Sequence, residues 1–277
     1  MIKKILQSLF RIIIGVIIAI PLLLYPFLYF AQDKLLFMPQ EMDNGLYSWL
    51  KKKYPHVEEI KIKTPDNVIL HGWYLKNNTE KQSPLIIYFG ANAEEVSGHI
   101  MDIEHFNNYS LLLVNYRGYG LSEGTPSEKS FFNDAALLYD TFAKRADIDA
   151  NRIIAFGRSL GTGVAVYLAS QRQLQAVILI SPYDSIRNLA QKVYPYVPVG
   201  LLLKHHFDVK QLAPSIKTRM LALIAEKDKL IPPSHSFALL NAWSGVTEHK
   251  IIPNTNHYNI SMGRDYWHNI TQFLKSL

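Results

Sequence analysis

The sequence predicts an α/β domain on a mainly parallel sheet, carried behind a membrane-spanning N-terminal helix. Three observations predict it. From about residue 84 onward, short apolar runs recur between segments of helical pattern, as expected for strands covered on both faces and joined by βαβ crossovers. One period-two hairpin precedes them, which adds an antiparallel edge. An uncharged, apolar stretch opens the chain at 12–31. With 277 residues, 48% of them hydrophobic, the chain can bury one large core and still carry an appendage.

Taken in order, 12–31 comes first. Its twenty residues span about 30 Å as a helix, the thickness of the hydrocarbon core. Pro21 and Pro26 would kink it, which membrane helices tolerate. Lys3, Lys4 and Arg11 precede it, so the N-terminus is expected in the cytoplasm and the bulk of the chain on the periplasmic, extracellular or lumenal side. The rival is a cleaved signal peptide, but the end of the run reads LYFAQD, with Tyr29 where a small residue is wanted. The division expected is therefore 1–31 as stub and anchor and 32–277 as the α/β domain. A polar linker follows, with Trp49, Tyr54 and the solvated run Lys51-Lys52-Lys53.

The hairpin is expected around Thr64-Pro65-Asp66-Asn67. Strands are expected at 84–90, 110–116, 152–157, 175–181, 219–225 and 248–253. Helices are expected at 94–107, 127–145 (Ser127 as N-cap), 160–173, 233–242 and 264–276. The stretch 184–218 interrupts the pattern with VYPYVPVGLLLKHHF, and so long an insertion reads as a lid.

Composition excludes several classes. The chain has no cysteine, so disulfides, thiol catalysis and Cys-ligated metals are out. Net charge is +6, but the basic residues form no stripe interleaved with aromatics, so nucleic acid is not an expected partner. His205-His206 belongs to no metal-ligand spacing and reads as part of the lid. No cofactor is expected. The oligomeric state is not readable.

Two stretches fit G-x-S-x-G, the pattern of a serine on a sharp strand-to-helix turn: Gly120-Leu121-Ser122-Glu123-Gly124 and Gly157-Arg158-Ser159-Leu160-Gly161. Context separates them. RIIAF runs straight into Gly157 and a helical pattern leaves after Ser159, with Gly161 and Gly163 allowing close approach. Around Ser122 the strand has already ended and Thr125-Pro126 follows, so Gly118, Gly120 and Gly124 read as turn residues and Ser122 as a loop hydrogen-bonding residue near the mouth of the site.

A serine nucleophile needs a base, and the base needs an acid. Asp228 lies just beyond the strand at 219–225. His257, one of ten histidines, alone lies in the turn between the last strand and the last helix. Both therefore reach the carboxyl edge of the sheet with Ser159. Asp184 is the reserve acid, and Glu226 reads as a solvated loop residue. One oxyanion donor is expected from the Leu160 N–H, the other from the loop GANAEEVSG. Glu94 and Glu95 read as stabilisers of the next helix N-terminus.

With these pieces in place, the chain resembles the α/β-hydrolase superfamily. It is similar in particular to its membrane-anchored, serine-aminopeptidase-like "α/β-hydrolase domain-containing" branch. The matching stretches are QDKLLFMP, YFGANAEEVS, NYRGYGLSEGTPSE, GRSLGTG, SPYDS, EKDKLIPP and NTNHYN, spread over residues 32–260. The resemblance implies a triad of Ser159, Asp228 and His257, oxyanion donors at Asn92 and Leu160, and a structural ion pair for Arg117. Relatives often carry His-Gly where this chain has Gly90-Ala91.

The activity so implied is cleavage of an ester, thioester or similar acyl bond, with the apolar lid and the tether pointing to a lipophilic substrate. A peptidase is the second reading. It would need Glu94, Glu95 or Asp102 to recognise a substrate amine. A silent hydrolase fold used as a binding module is the third, and the intact triad speaks against it.

Overall fold

A computed structural model describes residues 2–77, 80–106 and 108–277. Eight strands form one sheet: β1 (Glu58–Lys63), β2 (Ile69–Leu75), β3 (Ser83–Phe89), β4 (Ser110–Val114), β5 (Ile148–Arg158), β6 (Ala176–Ile180), β7 (Arg219–Ala225) and β8 (Thr247–Ile252). Their order is β1-β2-β4-β3-β5-β6-β7-β8. β1–β2 and β2–β4 are antiparallel, and every other pair is parallel. The expected hairpin is thus the antiparallel edge. β3, β4 and β6 are buried along their whole length, as their unbroken apolar runs require.

The helices are α1 (Ile2–Leu36), α2 (Asn44–Lys53), α3 (Glu128–Phe142), α4 (Leu160–Gln171), α5 (Ile186–Val193), α6 (Val199–Leu202), α7 (Pro233–Leu240) and α8 (Tyr266–Lys275). The sheet lies between two apolar layers. One contains Phe131, Val164, Tyr183 and Phe207. The other contains Trp73, Tyr88, Phe156 and Tyr266. α4 is buried on almost every side, which its run of small and apolar residues permits. The expected start of α3 is a capping box: Ser127 Oγ accepts from the Ser130 N–H, and Ser130 Oγ accepts from the Ser127 N–H. Such a cap contributes about 1 kcal/mol.

Three expectations change. The N-terminal helix does not stop at 31 but runs on to Leu36, where its last turns dock on the insertion at 184–218. Gln32 Nε2 donates to the Leu202 carbonyl (3.0 Å) and Gln32 Oε1 accepts from the Lys204 N–H (2.7 Å). The helix is long and apolar enough to cross a membrane. Second, the linker contains α2, started by Asp43, whose carboxylate accepts from the Leu46 N–H at 2.7 Å. The lysine run closes this helix, where cations suit the dipole, and Lys51 pairs with Glu59. Third, the segment expected as a helix at 94–107 is instead a string of 3₁₀ turns over Val96–Phe106. Its first amides are claimed by side chains: the Val96 N–H donates to Asn115 Oδ1 and the Ser97 N–H to Glu95.

The insertion at 184–218 holds α5, α6 and two short 3₁₀ turns. It is tied down at both sides. Asp33 of α1 pairs with Lys204 and His205, and Glu128 of α3 accepts from the Phe207 N–H at 2.9 Å. Burial pushes His205 below the usual imidazole range, against the pull of Asp33.

Candidate active site

β5 ends at Arg158 and α4 begins at Leu160, so Ser159 alone makes the turn. Its backbone sits at φ 51°, ψ −119°, a conformation that costs a non-glycine residue about 1–3 kcal/mol. The surroundings hold it there. The Ser159 N–H donates to the Ile180 carbonyl of β6. Its carbonyl accepts from the Thr162 N–H (2.9 Å) and Thr162 Oγ1 (2.7 Å). The flanking glycines supply room. A Cβ on Gly157 would lie 2.4 Å from the Gly161 carbonyl oxygen, and one on Gly161 would lie 2.1 Å from that of Phe89. Gly163, expected to face the sheet, instead faces the Tyr183 hydroxyl, which a Cβ would meet at 2.1 Å.

Three side chains then meet. His257 Nε2 lies 2.8 Å from Ser159 Oγ, and His257 Nδ1 lies 2.8 Å from Asp228 Oδ2. The other carboxylate oxygen of Asp228 accepts from the Leu230 (3.0 Å) and Ile231 (2.8 Å) amides, which fixes its plane. All three residues are buried. The residues that sequence placed beyond three separate strands thus form one continuous hydrogen-bonded chain.

The reserve acid is committed elsewhere. Asp184 accepts from His235 Nδ1 (2.8 Å), Asn188 Nδ2 (2.6 Å) and the Ser185 N–H (2.8 Å). Burial would raise its pKa, but these bonds hold it below the usual carboxylate value. His235 went unread in the sequence, because only the fold brings the start of α7 onto the loop after β6. Glu226 accepts from the Asn254 N–H and braces the turn that carries His257.

The Leu160 N–H is the first of α4 and has no partner within the helix by construction. The loop after β3 is anchored by its side chains. Asn92 Oδ1 accepts from the Met38 N–H (3.1 Å) and the Tyr119 hydroxyl (3.0 Å), while Asn92 Nδ2 donates to the Leu36 carbonyl (2.6 Å). Glu94 accepts from the Ala91 N–H and the Tyr88 hydroxyl, and meets His99 Nε2 at 2.7 Å. His99 Nδ1 meets Asp102 at 2.6 Å, and Arg158 reaches Glu94 at 3.4 Å. Burial opposes these charges, yet the bond to His99 and the charges of His99 and Arg158 hold Glu94 down at about 2. Asp102 and Glu94 in turn overcome burial and raise His99 to about 9. Glu94 therefore braces the loop behind the site rather than the following helix, a correction to the sequence reading. Glu95 does serve the next turn, through Ser97, and also binds Asn115.

The Ser122 hydroxyl accepts from the His71 N–H (2.8 Å) and donates to the Asn115 carbonyl (2.9 Å). It stitches its loop to β2. Arg117 forks between Asp134 and Asp66, the structural ion pair expected of it.

The family described as acetyl xylan esterase (AXE1) matches residues 127–277, more than half of the chain. The alpha/beta hydrolase domain-containing protein WAV2 of Arabidopsis thaliana is 28% identical, over 94% of this chain and 92% of its own. An uncharacterized membrane protein of Saccharomyces cerevisiae is 28% identical over 95% and 96%. Among solved structures, the acetyl xylan esterase from Paenibacillus sp. R4 superposes with a TM-score of 0.65 at 18% identity, over 89% of this chain and 98% of that one, a likeness of fold. The chain belongs to the acetyl xylan esterase family, within the α/β-hydrolases.

Proposed function

We propose that this esterase-family chain is a membrane-tethered serine hydrolase that cleaves ester or thioester bonds of a lipophilic acyl substrate. The observation that carries the proposal is the relay Ser159 Oγ, His257, Asp228, with both links at 2.8 Å.

His257 Nε2 takes the Ser159 proton as Oγ attacks the acyl carbon. Asp228 orients the imidazole and stabilises its positive charge without itself taking the proton. The oxyanion is held by the Leu160 N–H and by the main-chain N–H of Asn92, whose side chain is occupied with α1 and Tyr119. The leaving oxygen or sulfur receives the proton from His257, which gives the acyl-Ser159 ester. Water then gives its proton to His257 and attacks that ester, and His257 passes the proton to Ser159 Oγ as the acid leaves.

Residues 1–31 form the stub and anchor, 32–277 the hydrolase domain and 184–218 its lid. The positive flank at Lys3, Lys4 and Arg11 supports a cytoplasmic N-terminus with the hydrolase domain on the other side. The peptidase reading is disfavoured, because Glu94 and Asp102 are engaged with His99 and Glu95 with Asn115.

Fluorophosphonate labelling of the full chain tests the chemistry. Wild type should label and Ser159→Ala should not. An unlabelled wild type, or label retained in Ser159→Ala, defeats the proposal. Comparing p-nitrophenyl esters with aminoacyl anilides then separates esterase from peptidase.

A further inference from the structure

An apolar groove of about 190 Å³ runs between the end of α1 and the lid. Its walls are Leu28 and Leu36 on one side and Ile186, Ala190, Val199 and Leu202 on the other. We infer that this groove is the acyl-chain subsite of the enzyme, open at its outer end to the bilayer, so that the preferred substrate is a long-chain ester drawn directly from the membrane. The inference rests on the hydrolase reading above and names the class of its substrate.

Both ends of the groove support that occupant. At the inner end, the Leu36 carbonyl accepts from Asn92 Nδ2 at 2.6 Å, so the wall of the groove is bonded to the loop assigned an oxyanion donor. At the outer end, Leu28 belongs to the stretch long and apolar enough to span a bilayer. At the next residue, Lys204 of the lid sits over the Tyr29 ring, 4.8 Å from its centroid. The lid is therefore level with the interfacial end of the span, where tyrosine and lysine belong. Its tip is apolar and uncovered: Tyr196 is 94% and Leu201 87% exposed, beside exposed Val193 and Tyr194. An apolar patch next to a membrane helix fits a surface dipped into the interface.

The groove also has a fixed width. Gln32, the polar side chain facing it, spends its amide on the Tyr29 and Leu202 carbonyls and the Lys204 N–H. Asp33 binds Lys204 and His205. The insertion is thus clamped to α1 beside the groove, and the groove wall at Leu36 is one hydrogen bond from Asn92 of the oxyanion loop. An acetyl group would leave the groove empty.

The test uses the full chain in detergent micelles with p-nitrophenyl acetate, octanoate and palmitate. Each methylene that enters an apolar wall should raise kcat/KM, by about fourfold at most. Ala190→Trp, which fills the groove, should lower the palmitate-to-acetate ratio by about tenfold or more. Photolabelling Ser159→Ala protein with a palmitate ester carrying a mid-chain diazirine should mark 28–36 and 186–203, independently of how the tryptophan variant folds. A wild type that labels with fluorophosphonate but prefers acetate overturns the groove and leaves the hydrolase standing. So does an unchanged ratio in folded Ala190→Trp, or photolabel outside both segments. A wild type that neither labels nor cleaves any ester removes the hydrolase reading itself.

Discussion

Ser122 and Ser159 share a five-residue pattern and are almost equally buried, 8% and 6% exposed. Each makes hydrogen bonds of 2.8 Å. The two motifs nevertheless meet opposite demands. Around Ser122 the glycines carry the unusual backbone, with Gly120 at φ 56° and Gly124 at φ 82°, and the hydroxyl is spent on main-chain groups of β2 and the strand-end loop. Around Ser159 the serine itself carries it, at φ 51°, and the glycines are there because neighbouring backbone comes too close for a side chain. A glycine pattern can thus mark a turn or an approach, and only the second presents a hydroxyl to a base.

The sharpest way to break this comparison is to remove each hydroxyl. Ser159→Ala should lower kcat by about four orders of magnitude or more while leaving the melting temperature nearly unchanged. Ser122→Ala should keep kcat within a few-fold, because its partners are backbone. A Ser122→Ala variant that is folded but inactive would reverse the assignment.

The two aspartate–histidine pairs extend the contrast. Asp228→Asn should reduce kcat by about three orders of magnitude in steady-state ester hydrolysis, through the wrong imidazole tautomer. Asp184→Asn should leave turnover within a few-fold and should appear in denaturant unfolding, at about 1–3 kcal/mol, as His235 and Asn188 lose their acceptor.

Smaller again is the effect of the brace behind the oxyanion loop. Glu94→Ala frees the Ala91 N–H and should cut kcat about tenfold to a hundredfold with KM little changed. Equal loss in KM would mean the loop binds substrate rather than the transition state.

The smallest effect is on pH. The fold holds the His99 proton up to about pH 9, whereas the unfolded chain releases it near 6.5. Its stabilisation is complete below about 6.5 and is lost as pH rises through 9. Glu94 works the other way, stabilising above about 4.5 and losing that contribution as pH falls toward 2. Melting temperature between pH 6.5 and 9.5 should therefore fall more steeply in wild type than in His99→Gln. Parallel curves would show that His99 carries no such linkage.

Much of this was present in the chain alone. Strands covered on both faces need unbroken apolar runs, so β3, β4, β6 and β7 were readable as such. Gly157, Ser159 and Gly161 were readable because a strand, an elbow and a helix are consecutive in sequence. Asp228 and His257 were singled out by the rule that functional groups gather at the carboxyl edge of a parallel sheet, and the fold brings both into one hydrogen-bonded chain with Ser159. Local capping was readable too where the turn was signalled, at Ser127, and was missed at Asp43 because α2 is polar and short.

What the sequence could not decide is whatever depends on partners distant along the chain. Asp184 and Asp228 look alike as carboxylates beyond strand ends. Only packing gives His235 to one and His257 to the other. Glu94 reads as a helix-start residue until His99, Arg158 and the Ala91 amide close around it. The meeting of α1 with the insertion at 184–218, where Gln32 and Asp33 bind residues some 170 positions away, has no local signal, because a side chain's hydrogen-bond capacity is written in its type while its partner is set by how the layers stack.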